Sequence, residues 1–262
     1  MKIDYGTLLS PDPIKLSIGS IRKHRLRDLS KITFDKFYVY EAFLKMTPEK
    51  LYSNQYNEDG SPIWDTIKNK DSLTMYDLIY SDEVVRKTYV EILNFFFEEC
   101  VDYKEGFFIL SAEAVDFENE ISPNSICGVI DRSSFKQVLS LIQQVCCIFE
   151  DDEEPEENMK FKNSAARKIY EKLLSAQKKE KKRKKADINL SLPNIISAVS
   201  NCHPTINPIN VWDLTLFQLF DTFNRMRANK IYDIDSTRVS VWGDEKKTFD
   251  IALWYKNEYD KK

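Results

Sequence analysis

The chain reads as mostly α, an α+β protein with helical N-terminal and C-terminal lobes and a small β-sheet or hairpin, joined by a charged linker and helix. Three observations predict this. Apolar residues recur at helical spacing through most of the 262 residues. Only 6 glycines and 9 prolines are present, too few for the tight turns of a barrel or sandwich. The 42% of hydrophobic and 13% of aromatic residues suffice for a sizeable core.

The elements follow in order. Ile14, Leu16 and Ile18 alternate with Lys15 and Ser17, a strand pattern that stops at Gly19. Arg22, Lys23, Arg25 and Arg27 then form a basic cluster. Phe34, Phe37, Tyr38, Phe43 and Leu44 fit a helix over 33–46. "TPEKLY" opens another, with Thr47 as N-cap and Pro48 in its first position. Residues 53–62 are a loop. Ser81 is the expected cap of a helix over roughly 82–100, on Val85, Tyr89, Leu93, Phe96 and Phe97. "EGFFIL" (105–110) and "SICGVI" (125–130) read as paired strands. A helix over about Ser134 to Val145 follows.

Composition then breaks. "EDDEEPEEN" (150–158) is acidic, and the helix expected from Lys160 ends in the basic arm Lys178, Lys179, Lys181, Lys182, Arg183, Lys184 and Lys185. Like charges in blocks repel and favour a solvated linker. The expected domains are therefore 1–149, an N-terminal α+β lobe; 150–188, the charged linker and helix; and 189–262, a C-terminal helical lobe.

In that last lobe Pro193 lies early in a short helix, and "TINPIN" breaks it. Thr215 and Gln218 have capping-box spacing, with Asp213 as the alternative cap. Leu216, Leu219, Phe220, Phe223 and Met226 form a helical stripe, and Phe217 widens it. Val239, Val241 and Trp242 lead to a turn at Gly243–Asp244 and a short aromatic helix around Trp254.

Chemistry is sparse. No glycine-rich phosphate loop, nucleophile elbow or zinc-helix pattern is present, so no cofactor and no metal is expected. The 2 histidines have simple readings. His24 sits in the basic cluster, which disfavours its protonated form. His203 adjoins Cys202 without a second metal-ligand half. The five cysteines lie in apolar surroundings and are expected reduced and buried, Cys146–Cys147 as core. Carboxylates such as Glu98–Glu99, Asp221 and Asp233–Asp235 read as solvated surface. The N-terminus lacks an apolar h-region, and runs such as "ILNFFF" are far too short to span a bilayer, so no signal peptide and no membrane contact are expected. An enzyme is not expected.

The aromatic segment around the Thr215 helix is the strongest binding candidate. Trp212, Phe217, Phe220, Trp242 and Trp254 are the candidate partner-binding residues. Exposure of Phe217 and Trp212 would make a helix-binding groove or a homo-oligomer contact; their burial would make the segment scaffold.

"DYGTLLSPDPIKL", "GVIDRSSFKQVLSLI", "LPNIISAVSNCHPTINPINVWDLTLFQLFDTFNRM" and "VSVWGDEKKTFDIALWYKN" resemble a family of late proteins of tailed bacteriophages of Gram-positive hosts, usually called tail assembly chaperones. The resemblance implies a non-enzymatic protein of the host cytoplasm. Such a protein binds apolar helical segments of the tape measure protein, with the tail tube protein as a second candidate partner. Two alternatives stand beside it: a minor tail or baseplate component, and a nucleic-acid-associated protein using the basic arm, which lacks aromatic interleaving for stacking.

Overall fold

The computed structural model describes residues 1–52, 55–57, 59–67, 72–112, 126–148, 188–245, 247–257 and 259. The acidic tract, the residues expected to form a helix after it and all seven basic-arm residues, Lys178, Lys179, Lys181, Lys182, Arg183, Lys184 and Lys185, lie outside them.

Ten α-helices and two small antiparallel sheets are present among the described residues, which makes the protein mostly α with a minor β part. Helix α1 (Tyr5–Leu9) starts where the Asp4 carboxylate accepts the Thr7 amide at 2.7 Å. Strands β1 (Ile14–Leu16) and β2 (Gly19–Ile21) pair as a hairpin. The chain reverses at Ser17–Ile18, so Ile18, expected in the strand, is in the turn and Gly19 already opens β2 opposite Leu16. Helices α2 (Leu26–Ile32) and α3 (Phe34–Leu44) follow, divided at Thr33 by a positive φ of 73°. The first of them was hidden in the basic cluster. Helix α4 (Pro48–Tyr52) begins as expected, with the Thr47 hydroxyl accepting the Lys50 amide at 3.3 Å. Helix α5 is Ile63–Thr66.

Of the expected helix over 82–100, residues Glu83–Phe96 are helical, a separate helix precedes them, and the far end enters a strand. Ser81 ends α6 (Met75–Ser81), whose own start is a Thr74–Asp77 capping box. The cap of α7 (Glu83–Phe96) is Asp82, which accepts the amides of Val84 at 2.8 Å and Val85 at 3.1 Å. Cys100 already belongs to β3 (Cys100–Lys104), an element the helical periodicity concealed. Strands β4 (Phe107–Ser111) and β5 (Ile126–Ile130) pair antiparallel, as expected, and β3 adds to the free edge of β4. Asp131 then caps α8 (Arg132–Val145).

Helix α9 (Leu192–Cys202) carries Pro193 in its first turn. Helix α10 (Leu216–Trp242) is 27 residues long and has the predicted Thr215–Gln218 capping box. It runs through Val239, Val241 and Trp242 and stops at Gly243, whose φ of 76° suits glycine. No helix forms around Trp254. The bonds there run from Leu253 N–H to Asp250 O and from Tyr255 N–H to Ala252 O, a succession of tight turns. Asp250 favours them by accepting the Ala252 amide at 3.0 Å.

One continuous apolar cluster joins residues from both ends of the described chain. Leu8, Ile21, Leu26, Phe37, Tyr89, Phe96, Phe108, Ile142, Val199 and Leu219 are all within it and essentially fully buried. The hairpin packs so tightly on the sheet that a Cβ built on Gly128 would lie 2.5 Å from the Ile18 Cα.

Candidate functional site

The residues with the best chemical credentials are held in structural roles. His24 stacks on Phe95 with ring centroids 3.8 Å apart, and its Nε2 meets the Phe95 carbonyl. Burial holds its pKa below the usual histidine value, with a smaller contribution from the Arg22 charge. His203 closes the turn after α9, its Nδ1 accepting the Ile206 amide at 3.1 Å. Cys146 is buried and Cys147 half-buried, and burial pushes both thiols up, away from reactive thiolate. Cys127 and Cys202 are exposed, against the expectation that all five cysteines are core. Cys127 lies on β5, where Ile126 and Val129 are exposed as well, and Cys202 ends a helix. Leu8, Lys23, His24, Phe96, Cys146 and Thr215 are among the residues lining a cavity with room for about one water. Among the described residues no cluster of His, Cys, Asp or Glu could hold a metal ion.

The basic cluster is a clamp. Lys23 is 7% exposed, and its ammonium donates to the Thr7 carbonyl and, at 2.9 Å, to the Ser10 carbonyl, satisfying the end of α1. Arg25 and Arg27 both reach Asp213, just ahead of α10. Two of the acids expected at the surface also hold the fold. Glu99 accepts the Ser20 amide at 2.9 Å. Asp221 accepts the Tyr5 hydroxyl at 2.8 Å and pairs with Arg225 at 3.3 Å, while Arg225 donates to the Tyr5 oxygen at 2.9 Å.

The aromatic candidates divide along α10. Trp212 is half-buried, its indole N–H donating to the Pro208 carbonyl at 3.0 Å. Phe217 is 5% exposed and meets the rings of Tyr5 at 6.0 Å and Tyr259 at 5.7 Å. Phe220 is half-buried against the core. The proximal half of the helix is therefore scaffold, the outcome that Phe217 burial implies.

Beyond Met226 the helix leaves the core. Ile231, Ile234, Val241 and Trp242 are 49%, 69%, 65% and 76% exposed. At about 100° per residue they share one face of the helix. The chain then reverses at Gly243, where the Asp244 carboxylate accepts the Thr248 amide at 3.0 Å and the Phe249 amide at 2.9 Å. Those amides, Phe249 first, hold its pKa below the ordinary aspartate value. The returning tail sets Phe249 5.5 Å from Tyr232 and ends with Tyr259 against Tyr5 and Phe217. Ile251, Trp254 and Tyr255 of this tail are themselves exposed. The distal helix and tail thus form an arm covered on the Tyr232 side and open on the Ile234 side.

Trp242 and Trp254 of the sequence candidates are on this arm. Ile231, Ile234 and Val241 were missed, although the signal was present: beyond Met226 the steps 227, 231, 234, 238, 241 continue a 4-3 spacing. The arginines at two of those positions mask it.

Among the described residues, no helix is long and apolar enough to cross a membrane. No curated protein and no solved structure matches the chain. Residues 178–259, about a third of it, match the model of the YomV second domain, a phage-associated family. That similarity points to a phage protein, and it covers α9, α10 and the returning tail, the part that carries the open apolar face.

Proposed function

We propose that this is a non-enzymatic assembly protein of a tailed bacteriophage, acting in the host cytoplasm as a tail assembly chaperone. Its task is to hold apolar helical segments of the tape measure protein until tail-tube subunits enclose them. The observation that carries the reading is the open face of the α10 arm, with Ile231, Ile234, Val241 and Trp242 largely in solvent. Exposed apolar side chains grouped on one helix face mark protein-binding surfaces. A helix presenting them receives a second amphipathic helix without needing a nucleotide. The phage-associated match over the same residues supports the setting.

The test is co-expression with the tape measure protein of the same phage, followed by pull-down. The expected result is a soluble complex that Ile234→Asp and Trp242→Ala disrupt while the protein alone stays folded. A tape measure protein that stays insoluble and unbound beside the wild-type chain would refute the proposal. Mass spectrometry of purified virions gives a second check. Stoichiometric retention would replace the chaperone by a structural tail component.

A further inference from the structure

We infer that the distal half of α10 is also a self-association seam, pairing antiparallel with the same segment of a second copy of this chain. The spacing, the charge order and the arm geometry each support this.

The apolar positions beyond Met226 sit on a seam, not scattered over the surface. Arg227, Ile231, Ile234, Arg238 and Val241 follow one another in steps of four, three, four and three. This is the spacing of a two-helix coiled coil, where one seam stays against the partner helix. Trp242 flanks the seam, and Asp235 lies beside it, already paired with Arg238 at 3.3 Å. Roughly 24 Å of helix extends beyond Met226 at about 1.5 Å per residue, long enough for such a pair.

Charge order selects the antiparallel arrangement. The proximal end of the exposed seam is basic, with Arg227 and Lys230 both exposed. Just past the distal end stand Asp244, held ionised by the amides it caps, and the exposed Glu245. A two-fold axis beside Ser236 sets Ile231 against Val241 of the second copy and Ile234 against its Arg238. In this arrangement Arg227 and Lys230 of one copy approach the distal end of the second helix, where Asp244 and Glu245 stand just past the stop at Gly243 and the helix terminus is itself negative. At the axis the two Asp235–Arg238 pairs meet in alternating order. A parallel pair would set Arg227 against Arg227 and Arg238 against Arg238. The returning tail lies on the Tyr232 side and leaves the seam open to the second copy.

The inference does not rest on the chaperone reading, because it concerns the chain alone. Sedimentation equilibrium of the full chain from roughly 1 to 300 µM tests it. A reversible monomer–dimer equilibrium is expected, since a short seam falls below the area of a permanent dimer. Ile234→Asp should weaken association by at least ~10-fold with an unchanged circular dichroism spectrum. Arg227→Glu and Glu245→Lys should each weaken it, and the double charge reversal should restore it. A monomer throughout the range, or a dimer indifferent to Ile234→Asp, overturns the inference. A dimer in which the double reversal gives no rescue overturns the antiparallel register.

Discussion

Gly128 shows how one residue fixes a contact between distant segments. It sits in β5 where the backbone of Ile18 at the hairpin tip comes within 2.5 Å of a would-be Cβ. Gly128→Ala must push the hairpin off the sheet, an overpacking that costs about 1–3 kcal/mol; chemical denaturation should show the midpoint falling with the slope unchanged. Lys23 is the second case. Its buried ammonium satisfies two carbonyls at the end of α1. Lys23→Met keeps the stem and removes the donor, so a loss of about 1–3 kcal/mol is expected, read in the same titration. The sequence showed only a basic cluster here, because four bases within six residues do not reveal which one turns inward. The exposure of Cys127 and Cys202 was equally hidden, since burial depends on what packs across from a residue, not on its neighbours in sequence.

Among the elements, α10 was the best read at its start and the worst at its end. The Thr215–Gln218 box is a local signal, and it forms as expected, with the Thr215 hydroxyl accepting the Gln218 amide at 3.2 Å. Thr215→Ala should therefore destabilise the protein by about 1–2 kcal/mol, measured by thermal melting. The distal half carries the opposite prediction. Ile234 is 69% exposed, so Ile234→Asp should leave the melting transition of the monomer within about 0.5 kcal/mol of wild type. Helix α6, strand β3 and the true cap of α7 were concealed for one reason. Apolar residues there keep helical spacing across a break that only the Asp82 cap and the strand pairing reveal.

For the whole molecule, the packing of helices on the small sheet sets an alkaline limit. The Tyr76 hydroxyl donates to the Gly106 carbonyl at 2.6 Å, and burial, with Tyr103 and Asp131 nearby, pushes its pKa up to about 12. Burial raises Tyr89 as well. The unfolded chain releases these protons near pH ~10, while the native state still holds them. Their contribution is therefore complete below pH ~10 and is lost as pH rises towards about 12 for Tyr76. Stability measured from pH 8 upward should fall from about pH 10, and less steeply in Tyr76→Phe. By itself, the sequence determined the mostly α class, the β4–β5 pairing, the caps at Thr47 and Thr215, and the stop at Gly243, because each rests on residues a few positions apart. Only the tertiary structure decided which aromatic faces which surface. Phe217 is buried because Tyr5 and Tyr259, from opposite ends of the chain, close over it. Trp242 is open because the tail returns along the other side of the same helix. Helical periodicity identifies a face, but what covers that face comes from residues far away in sequence.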